Sequence, residues 1–341
     1  MKGDSAPSTT STAVLMRMLS GYRVTQMLYV VAKLGIANLL ADGAKTADQL
    51  AAATSANPDA LYRTLRALAS ISVFEEIAPR RFALTPLATL LQIDHPNSMH
   101  ARAIFWGEEP YQAWGGLHYS VMTGEPAFDH IFGTSHFSYL ANHAESSAIF
   151  NQVMSSAVRL AADAIADAYD FSTAHTLVDI GGGQGVLLST ILRANPALHG
   201  ILFDQPHVVV NAEPMVATAG VADRCALVGG DFFTSALPHG DIYTLRQIIH
   251  DWDDEQCVAI LKNCAQSLAA GGKVLVIENV IEQSATASET LFLDIMMLVM
   301  TGGHERTADE FRSLFSAAGL QVTRIIPTGA PACIIEGEQA I

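Results

Sequence analysis

The sequence predicts an α/β fold: a Rossmann-like, doubly wound domain in the C-terminal half, preceded by an α-helical, winged-helix-like domain. Three observations carry this. From about residue 176, apolar runs at 176–180, 200–204, 226–228, 241–245 and 273–278 alternate with helical segments, as in a sheet with helices on both faces. The first run, with Leu177, Val178 and Ile180, opens into Gly181-Gly182-Gly183-Gln184-Gly185 and then an amphipathic helix over 186–193. Upstream, a helix, a turn, a second helix and a short hairpin follow one another in winged-helix order.

The 341 residues suffice for two domains, and a chain half apolar and 16% charged is expected to be globular. A net charge of -15 argues against a broad electrostatic grip on nucleic acid or on an anionic membrane. Cys225, Cys257, Cys264 and Cys333 show no Cys-x-x-Cys spacing, which fits reduced thiols in the core. Residues 1–12, polar and rich in Ser and Thr, read as a disordered tail with no signal-peptide pattern. The apolar stretch 24–40 is broken by Lys33 and Gly35, too early to span a bilayer. A soluble, cytoplasmic protein is expected.

Residues 13–40 carry helical apolar spacing, with Gly35 ending one helix. Thr46 is placed to cap a helix over 46–53, and Asn57-Pro58 opens another through Leu68. Val73–Glu76 and 81–85 pair as a hairpin, so 13–100 reads as a winged-helix-like domain. DNA binding is the first alternative to weigh. Arg63 and Arg66 sit on a helix dominated by Leu61, Leu65 and Leu68, and Glu75 and Glu76 face the wing arginines Arg80 and Arg81. That is a poor footprint for a duplex, and packing or dimerisation is favoured. Val14, Leu15, Met18, Leu19, Met27 and Leu28 offer more apolar surface than one small helical layer buries, which points to a homodimer. Residues 101–170 read as a helical connector containing Phe105, Trp106, Tyr111, Trp114, Tyr119, Phe137 and Phe150. Singly such residues are core; together they suit the wall of a flat aromatic pocket. Residues 171–341 form the catalytic domain.

The glycine run separates two cofactor classes. A dinucleotide site wants Gly-x-Gly-x-x-Gly, but Val186 or Leu188 occupies its last position here. The pattern is Asp179-x-Gly181-x-Gly183-x-Gly185, suited to a nucleoside without phosphates, namely S-adenosylmethionine. Asp204 ends the second strand, where a carboxylate accepts from ribose hydroxyls. Asp231 is placed to accept from an adenine amino group, with Phe232 over the ring. The bland alternatives are a ligand-free turn and helix-capping acids.

His250 and Asp251 follow the apolar strand that contains Leu245, and so sit at the sheet edge where such folds do chemistry. Histidine is the side chain best poised to take a proton near neutral pH, and a phenol of pKa about 10 needs one removed before it attacks an electrophilic methyl. No metal is required. Asp251 is expected to project differently from His250 or to cap the next helix. Glu278, ending the neighbouring strand, is the better orienting partner, and Glu305 on a glycine-bearing loop is the second candidate. The alternative is a satisfied structural histidine.

The runs Val-Asp-Ile-Gly-Gly-Gly-Gln-Gly, Gly-Asp-Phe-Phe, Ile-Ile-His-Asp-Trp-Asp-Asp-Glu and Gly-Gly-His-Glu-Arg-Thr resemble the plant caffeic acid and bacterial hydroxyindole, phenazine and anthracycline O-methyltransferases over nearly the whole chain. The resemblance implies an S-adenosylmethionine-dependent enzyme that methylates a hydroxyl of a small aromatic metabolite, with His250 as general base flanked by Glu278 and Glu305. It implies cofactor contacts at Gly181, Asp204, Asp231 and Phe232, and a substrate pocket with Met154 and Met297. Asp179, Gly183, Gly230 and Arg246 complete the expected cofactor set; Trp106 and Phe150 complete the acceptor set. Arg246 departs from the lysine many members carry there, and its planar fork alters that contact. Methyl transfer to carbon or nitrogen on the same fold is the nearest rival. A winged-helix regulator with a cofactor-sensing domain is the more distant one.

Overall fold

Helix signals in the first hundred residues resolve into discrete elements in a computed structural model that describes residues 10–282 and 289–340. Helices α1 (Ser11–Leu19), α2 (Tyr22–Lys33) and α3 (Ile36–Leu39) follow one another, with Gly35 at φ 64° between the last two. The expected tail at 1–12 stops short of the structure: Thr10 accepts from the Ala13 N–H, so Ser11 and Thr12 are already helical, while residues 1–9 lie outside the described part.

Strand β1 (Lys45–Thr46) leads into α4 (Ala47–Thr54), where Thr46 and Gln49 form a capping box. Asn57 caps α5 (Pro58–Ala69), which buries Leu61, Leu65 and Leu68 at helical spacing. β2 (Phe74–Ala78) and β3 (Arg81–Leu84) complete a three-stranded sheet of order β1-β3-β2. Arg80, at φ 61° on the wing tip, pairs with Asp48 at 3.0 Å and Asp59 at 3.1 Å and lies 4.5 Å over the Tyr62 ring. Its charge is answered inside its own domain. Short helices α6 (Pro86–Thr89) and α7 (His100–Phe105) follow.

The chain divides into two compact units between Tyr111 and Gln112, a boundary that falls inside the expected connector. Around and beyond it come α8 (Glu109–Gly115), α9 (Leu117–Thr123), α10 (Ala127–Phe132), α11 (His136–Asn142) and the 25-residue α12 (Ala144–Ala168).

The sheet domain continues with β4 (Thr176–Ile180), α13 (Val186–Ala194), β5 (His199–Asp204), α14 (Pro206–Val209), α15 (Glu213–Thr218), β6 (Cys225–Gly229), β7 (Gly240–Arg246), α16 (Asp254–Ser267) and β8 (Leu268–Glu278). It closes with β9 (Val280–Ile281), α17 (Glu289–Met300), β10 (Arg306–Thr307), α18 (Ala308–Ala317), β11 (Leu320–Pro327) and β12 (Cys333–Gln339). The seven-stranded order is β11-β12-β8-β7-β4-β5-β6. β4 to β8 run parallel, and the final hairpin, absent from the strands read in the sequence, adds two antiparallel strands.

The apolar runs are continuous because both faces are covered. Leu177, Ile242, Leu275 and Ile277 pack with residues of α12 and α13; Val178, Ile180, Leu245 and Val276 pack with residues of α16 and α18. Strand order reverses around β4, so its C-terminal end, with those of β5, β7 and β8, forms the crevice where a ligand fits this topology. Among the described residues, no helix is long and apolar enough to cross a membrane.

Candidate active site

The turn after β4 bends through left-handed backbone at Gly181, Gly183 and Gly185, with φ of 64°, 59° and 76°. A Cβ on Gly181 would lie 2.3 Å from Cδ1 of Ile248, whereas one on Gly183 would meet nothing within 4 Å. The loop therefore packs against the residue two before His250 and leaves open space beside its middle glycine. Gly182, not singled out in the sequence, is crowded too: a Cβ there would meet Leu202 at 2.2 Å and Asp179 Oδ2 at 2.7 Å.

Asp204 accepts the Gly183 N–H on Oδ2 at 2.8 Å and the Gln205 N–H on Oδ1 at 2.7 Å. Each oxygen keeps a second lone pair for a ligand hydroxyl. Burial raises its pKa, and the two N–H groups pull the other way. Asp179 is 2% exposed, accepts from Thr244 Oγ1 on β7 at 2.7 Å, and aims Oδ2 beneath Gly182, so it braces the glycine loop. Burial lifts its carboxyl to about 7 despite that bond.

Gly230 donates to the Asp204 carbonyl at 2.9 Å, and a Cβ there would strike the Phe203 ring at 2.5 Å. Asp231 accepts the Phe233 N–H at 2.9 Å and the Thr234 hydroxyl at 3.3 Å, the turn-capping role weighed as its alternative. Phe232 is half-buried and meets Trp252 edge-on at 6.0 Å. Arg246 ends β7 with its Nε buried and unpartnered; burial lowers its pKa while Glu278 and Asp179 favour its charge.

His250 lies in a 3-10 turn, Ile249–Asp251, after β7 and is 6% exposed. Its Nδ1 meets Glu305 Oε1 at 2.7 Å and lies 3.6 Å from Glu278 Oε2. Glu278 does a second job that the sequence reading did not anticipate. Its Oε1 accepts the N–H groups of Ile248 (2.9 Å), Ile249 (3.0 Å) and His250 (3.4 Å), gathering the turn onto the end of β8. Asp251 also departs from expectation: its Oδ2 lies 3.9 Å from His250 Nε2, while Asp253 caps α16. The short 3-10 turn curls neighbouring side chains to one side, which a continuing strand would have separated.

Burial opposes a charge on His250, but Glu278, Asp251 and Glu305 outweigh it and raise its pKa. Burial likewise raises Glu278 and Asp251, which His250 partly offsets. With Glu305 Oε1 as the acceptor of the Nδ1 proton, the lone pair lies on Nε2.

The expected acceptor residues are distributed over both units. Trp106 belongs to the first, edge-on to Phe105 at 5.6 Å. Phe150 and Met154 lie on α12 and Met297, 5% exposed, on α17. Phe150 meets Phe137 at 6.4 Å, and Phe137 stacks on Trp252 at 5.7 Å, so aromatic contacts run from α12 to the His250 turn. Beside Met154, Ser155 donates to Gln184 of the glycine loop at 2.8 Å.

Trp252, Asp294 and Arg306 were not picked out as site residues. Asp294 accepts the Glu305 N–H at 2.9 Å. Gly303 lets the Glu305–Arg306 loop lie against the His250 turn, since a Cβ there would come within 2.0 Å of the His250 carbonyl oxygen and 2.7 Å of the Trp252 nitrogen.

This architecture is the class I S-adenosylmethionine-dependent methyltransferase fold joined to an N-terminal dimerisation domain. The chain belongs to the O-methyltransferase family: residues 114–321 match the O-methyltransferase domain and residues 16–94 the O-methyltransferase dimerisation domain. It is 48% identical to phenazine O-methyltransferase PhzM of Lysobacter antibioticus over 95% of each chain. It is 38% identical to mitomycin biosynthesis 6-O-methyltransferase of Streptomyces lavendulae, over 95% of this chain and 93% of that one. An N,N-dimethyltransferase of 8-amino-8-demethylriboflavin from Streptomyces davaonensis is 35% identical over 92% and 91%. The LaPhzM crystal structure aligns at a TM-score of 0.94 and 47% identity, covering 97% of this chain and all of the other. The neocarzinostatin O-methyltransferase bound to S-adenosylmethionine and 2-hydroxy-5-methyl naphthoic acid aligns at 0.86 and 33% identity, covering 95% and 98%. The protein is an S-adenosylmethionine-dependent methyltransferase.

Glu278→Ala is expected to lower stability in chemical denaturation, since each buried N–H left unpaired costs about 1–3 kcal/mol. Glu278→Gln, which keeps a carbonyl acceptor, should retain most of it; equal losses would contradict the backbone role.

Asp179 supplies a pH test. Its folded pKa of about 7 exceeds the ordinary carboxylate value of about 3.9, so the folded state binds the extra proton and stability falls as pH rises between the two. Thermal melts of Asp179→Asn should show a flatter pH dependence from about 4 to 7 than the parent; an unchanged slope would remove Asp179 from that account.

Proposed function

We propose that the protein is a homodimeric, metal-independent enzyme that methylates a hydroxyl of a small aromatic metabolite, with His250 as the general base. The observation that carries this is the 2.7 Å contact between His250 Nδ1 and Glu305 Oε1, which leaves Nε2 outside that bond, with Asp251 Oδ2 3.9 Å away. The turn that holds it touches the glycine loop through Ile248 and Gly181.

The residues suit S-adenosylmethionine. Gly183 leaves space beside the loop, Asp204 retains acceptor capacity for ribose hydroxyls, and Phe232 offers a ring face or edge to adenine. Asp231 keeps lone pairs for the amino group, while Asp179 and Gly230 support the loop and strand end from behind. When bound, the cofactor supplies an electrophilic methyl group on a sulfonium. Nε2 of His250 takes the acceptor's hydroxyl proton as the oxygen attacks, and Glu305 stabilises the resulting imidazolium through Nδ1. Glu278 and Asp251 add attraction for that imidazolium, the reason the residue is a stronger base than an ordinary imidazole. Phe150, Met154 and Met297 supply apolar contact to a flat acceptor ring.

His250, Glu278 and Glu305 offer ligand atoms within 4.8 Å of one another, close enough to hold a cation. A cation on Nδ1 would displace the Glu305 bond that orients the ring, so the metal-free reading is preferred. A nitrogen acceptor remains the alternative, since the riboflavin-analogue relative carries that name. An aromatic amine attacks without prior deprotonation, and the costly burial of three acids around His250 favours oxygen. Methylation of phenols but not matched anilines across a panel of phenazines, naphthoates and indoles decides between them.

Dimerisation is proposed through the first domain. Helix α1 buries nothing, with Leu15, Met18 and Leu19 58%, 71% and 65% exposed. Removing residues 1–20 should give aggregate or an inactive monomer in analytical ultracentrifugation; a soluble monomer of full activity would overturn this.

His250→Ala should lower the methylation rate by about 10²–10⁴-fold near pH 7 with S-adenosylhomocysteine affinity unchanged. The carboxyl groups around it raise the wild-type imidazole to about 10, so the wild-type rate should climb with pH toward that value and fall below it. The variant depends on phenolate formed in solution, so the gap should narrow only as pH reaches and passes about 10, and both rates should be indifferent to EDTA. A variant with near-wild-type rate at pH 7 would move the base elsewhere, and inhibition by EDTA would restore the metal reading.

A further inference from the structure

Arg306 follows Glu305 directly and is fully buried. Its donors are all engaged. Nη1 donates to the carbonyl oxygens of Ile249 at 3.0 Å and His304 at 3.3 Å. Nη2 donates to the Trp252 carbonyl at 2.9 Å and to Asp254 Oδ1 at 2.8 Å, and Nε donates to the same oxygen at 3.1 Å. Ile249 and Trp252 bracket His250 and Asp251, so one rigid planar fork spans the turn that carries the imidazole. The Cys257 thiol donates to the same two carbonyls, at 3.2 and 3.5 Å.

Successive residues of one loop thus hold His250 in two ways: Glu305 through the ring, Arg306 through the flanking backbone. The guanidinium's charge is matched by Asp254, and its remaining donors address neutral carbonyls. Its leverage on His250 is therefore geometric. A lysine could neutralise Asp254 but could not reproduce the fork.

We propose that Arg306 is a positioning residue for proton abstraction: by clamping the carbonyls of Ile249 and Trp252, it sets the direction in which His250 presents Nε2. This rests on His250 being the base. A small displacement of such a group costs catalysis far more than it costs binding or folding.

The test compares Arg306→Lys and Asp254→Asn with wild type. Asp254 is largely solvent-exposed and Asn keeps an acceptor oxygen for the guanidinium, so this variant is the milder of the two. Three quantities are read: S-adenosylhomocysteine affinity by calorimetry, kcat from pH 6 to 10 with the hydroxyphenazine or hydroxynaphthoate turned over fastest by wild type, and the downfield NMR resonance of the His250 Nδ1 proton. Arg306→Lys should lose at least about tenfold in kcat at pH 7 and Asp254→Asn a few-fold, with affinity retained. The loss should shrink only as pH reaches about 10, where the acceptor is ionised in solution and the base is bypassed, and the Nδ1 resonance should shift or broaden. A merely structural role predicts a pH-independent loss with a parallel fall in affinity, and that result overturns the proposal. So does an unchanged kcat and resonance in Asp254→Asn together with any folded Arg306→Lys. His250→Ala, run alongside, separates the two readings. If it alone retains the wild-type rate, the base assignment fails, while the resonance still reports whether Arg306 positions the ring.

Discussion

The hydrogen bond between His250 Nδ1 and Glu305 Oε1 fixes the imidazole ring and leaves Nε2 outside that bond, and much of the sheet edge is arranged around keeping it. A buried histidine among three carboxyl groups is electrostatically costly, because each acid loses hydration and repels the others. The turn tolerates this because the acids are divided between tasks. Glu305 holds the ring, Glu278 gathers three backbone N–H groups, and Asp251 stands beside the other nitrogen. Asp294 in turn fixes the backbone of Glu305, and Gly303 lets that loop lie against the His250 carbonyl.

The same division explains why two kinds of residue in the site behave differently. Asp204 combines two backbone bonds with remaining acceptor capacity, as a ligand-facing carboxylate should. Asp179, two residues before the glycine loop, spends one oxygen on Thr244 and buries the other beneath Gly182. Both are acids at strand ends, and only their surroundings distinguish a carboxylate with acceptor capacity to spare from one that braces a loop. The dimerisation domain solves a separate problem: it packs Leu61, Leu65 and Leu68 inward and leaves the apolar side of α1 uncovered.

Much of this was legible in the residue order. The parallel strands announced themselves as apolar runs ending in polar residues, and capping signals at Thr46 and Asn57 marked helix starts to within a residue. The left-handed glycines were legible because no other residue takes that backbone cheaply. What could not be read was direction. Strand periodicity placed Asp251 away from His250, and only the 3-10 turn brings them together. The backbone work of Glu278 and Arg306 was hidden because acceptor carbonyls and donor N–H groups leave no mark in side-chain patterns. The β11–β12 hairpin escaped because charged residues such as Arg324 and Glu336, which pair across its two strands, interrupt their apolar pattern.

The central claim is that His250, and not solvent, removes the acceptor proton. The most direct measurement is the methylation rate at pH 7 across a series of ring-substituted phenols with pKa from about 7 to 10, in wild type and in His250→Ala. Wild type should show a shallow dependence, less than about tenfold over the series, because the base accompanies every acceptor. The variant should fall several-fold per pKa unit, as the phenolate fraction drops by up to about tenfold and the greater nucleophilicity of the more basic phenolate offsets part of it. Two parallel plots would show that the protein performs no proton transfer at this residue, and the account would be wrong at its centre.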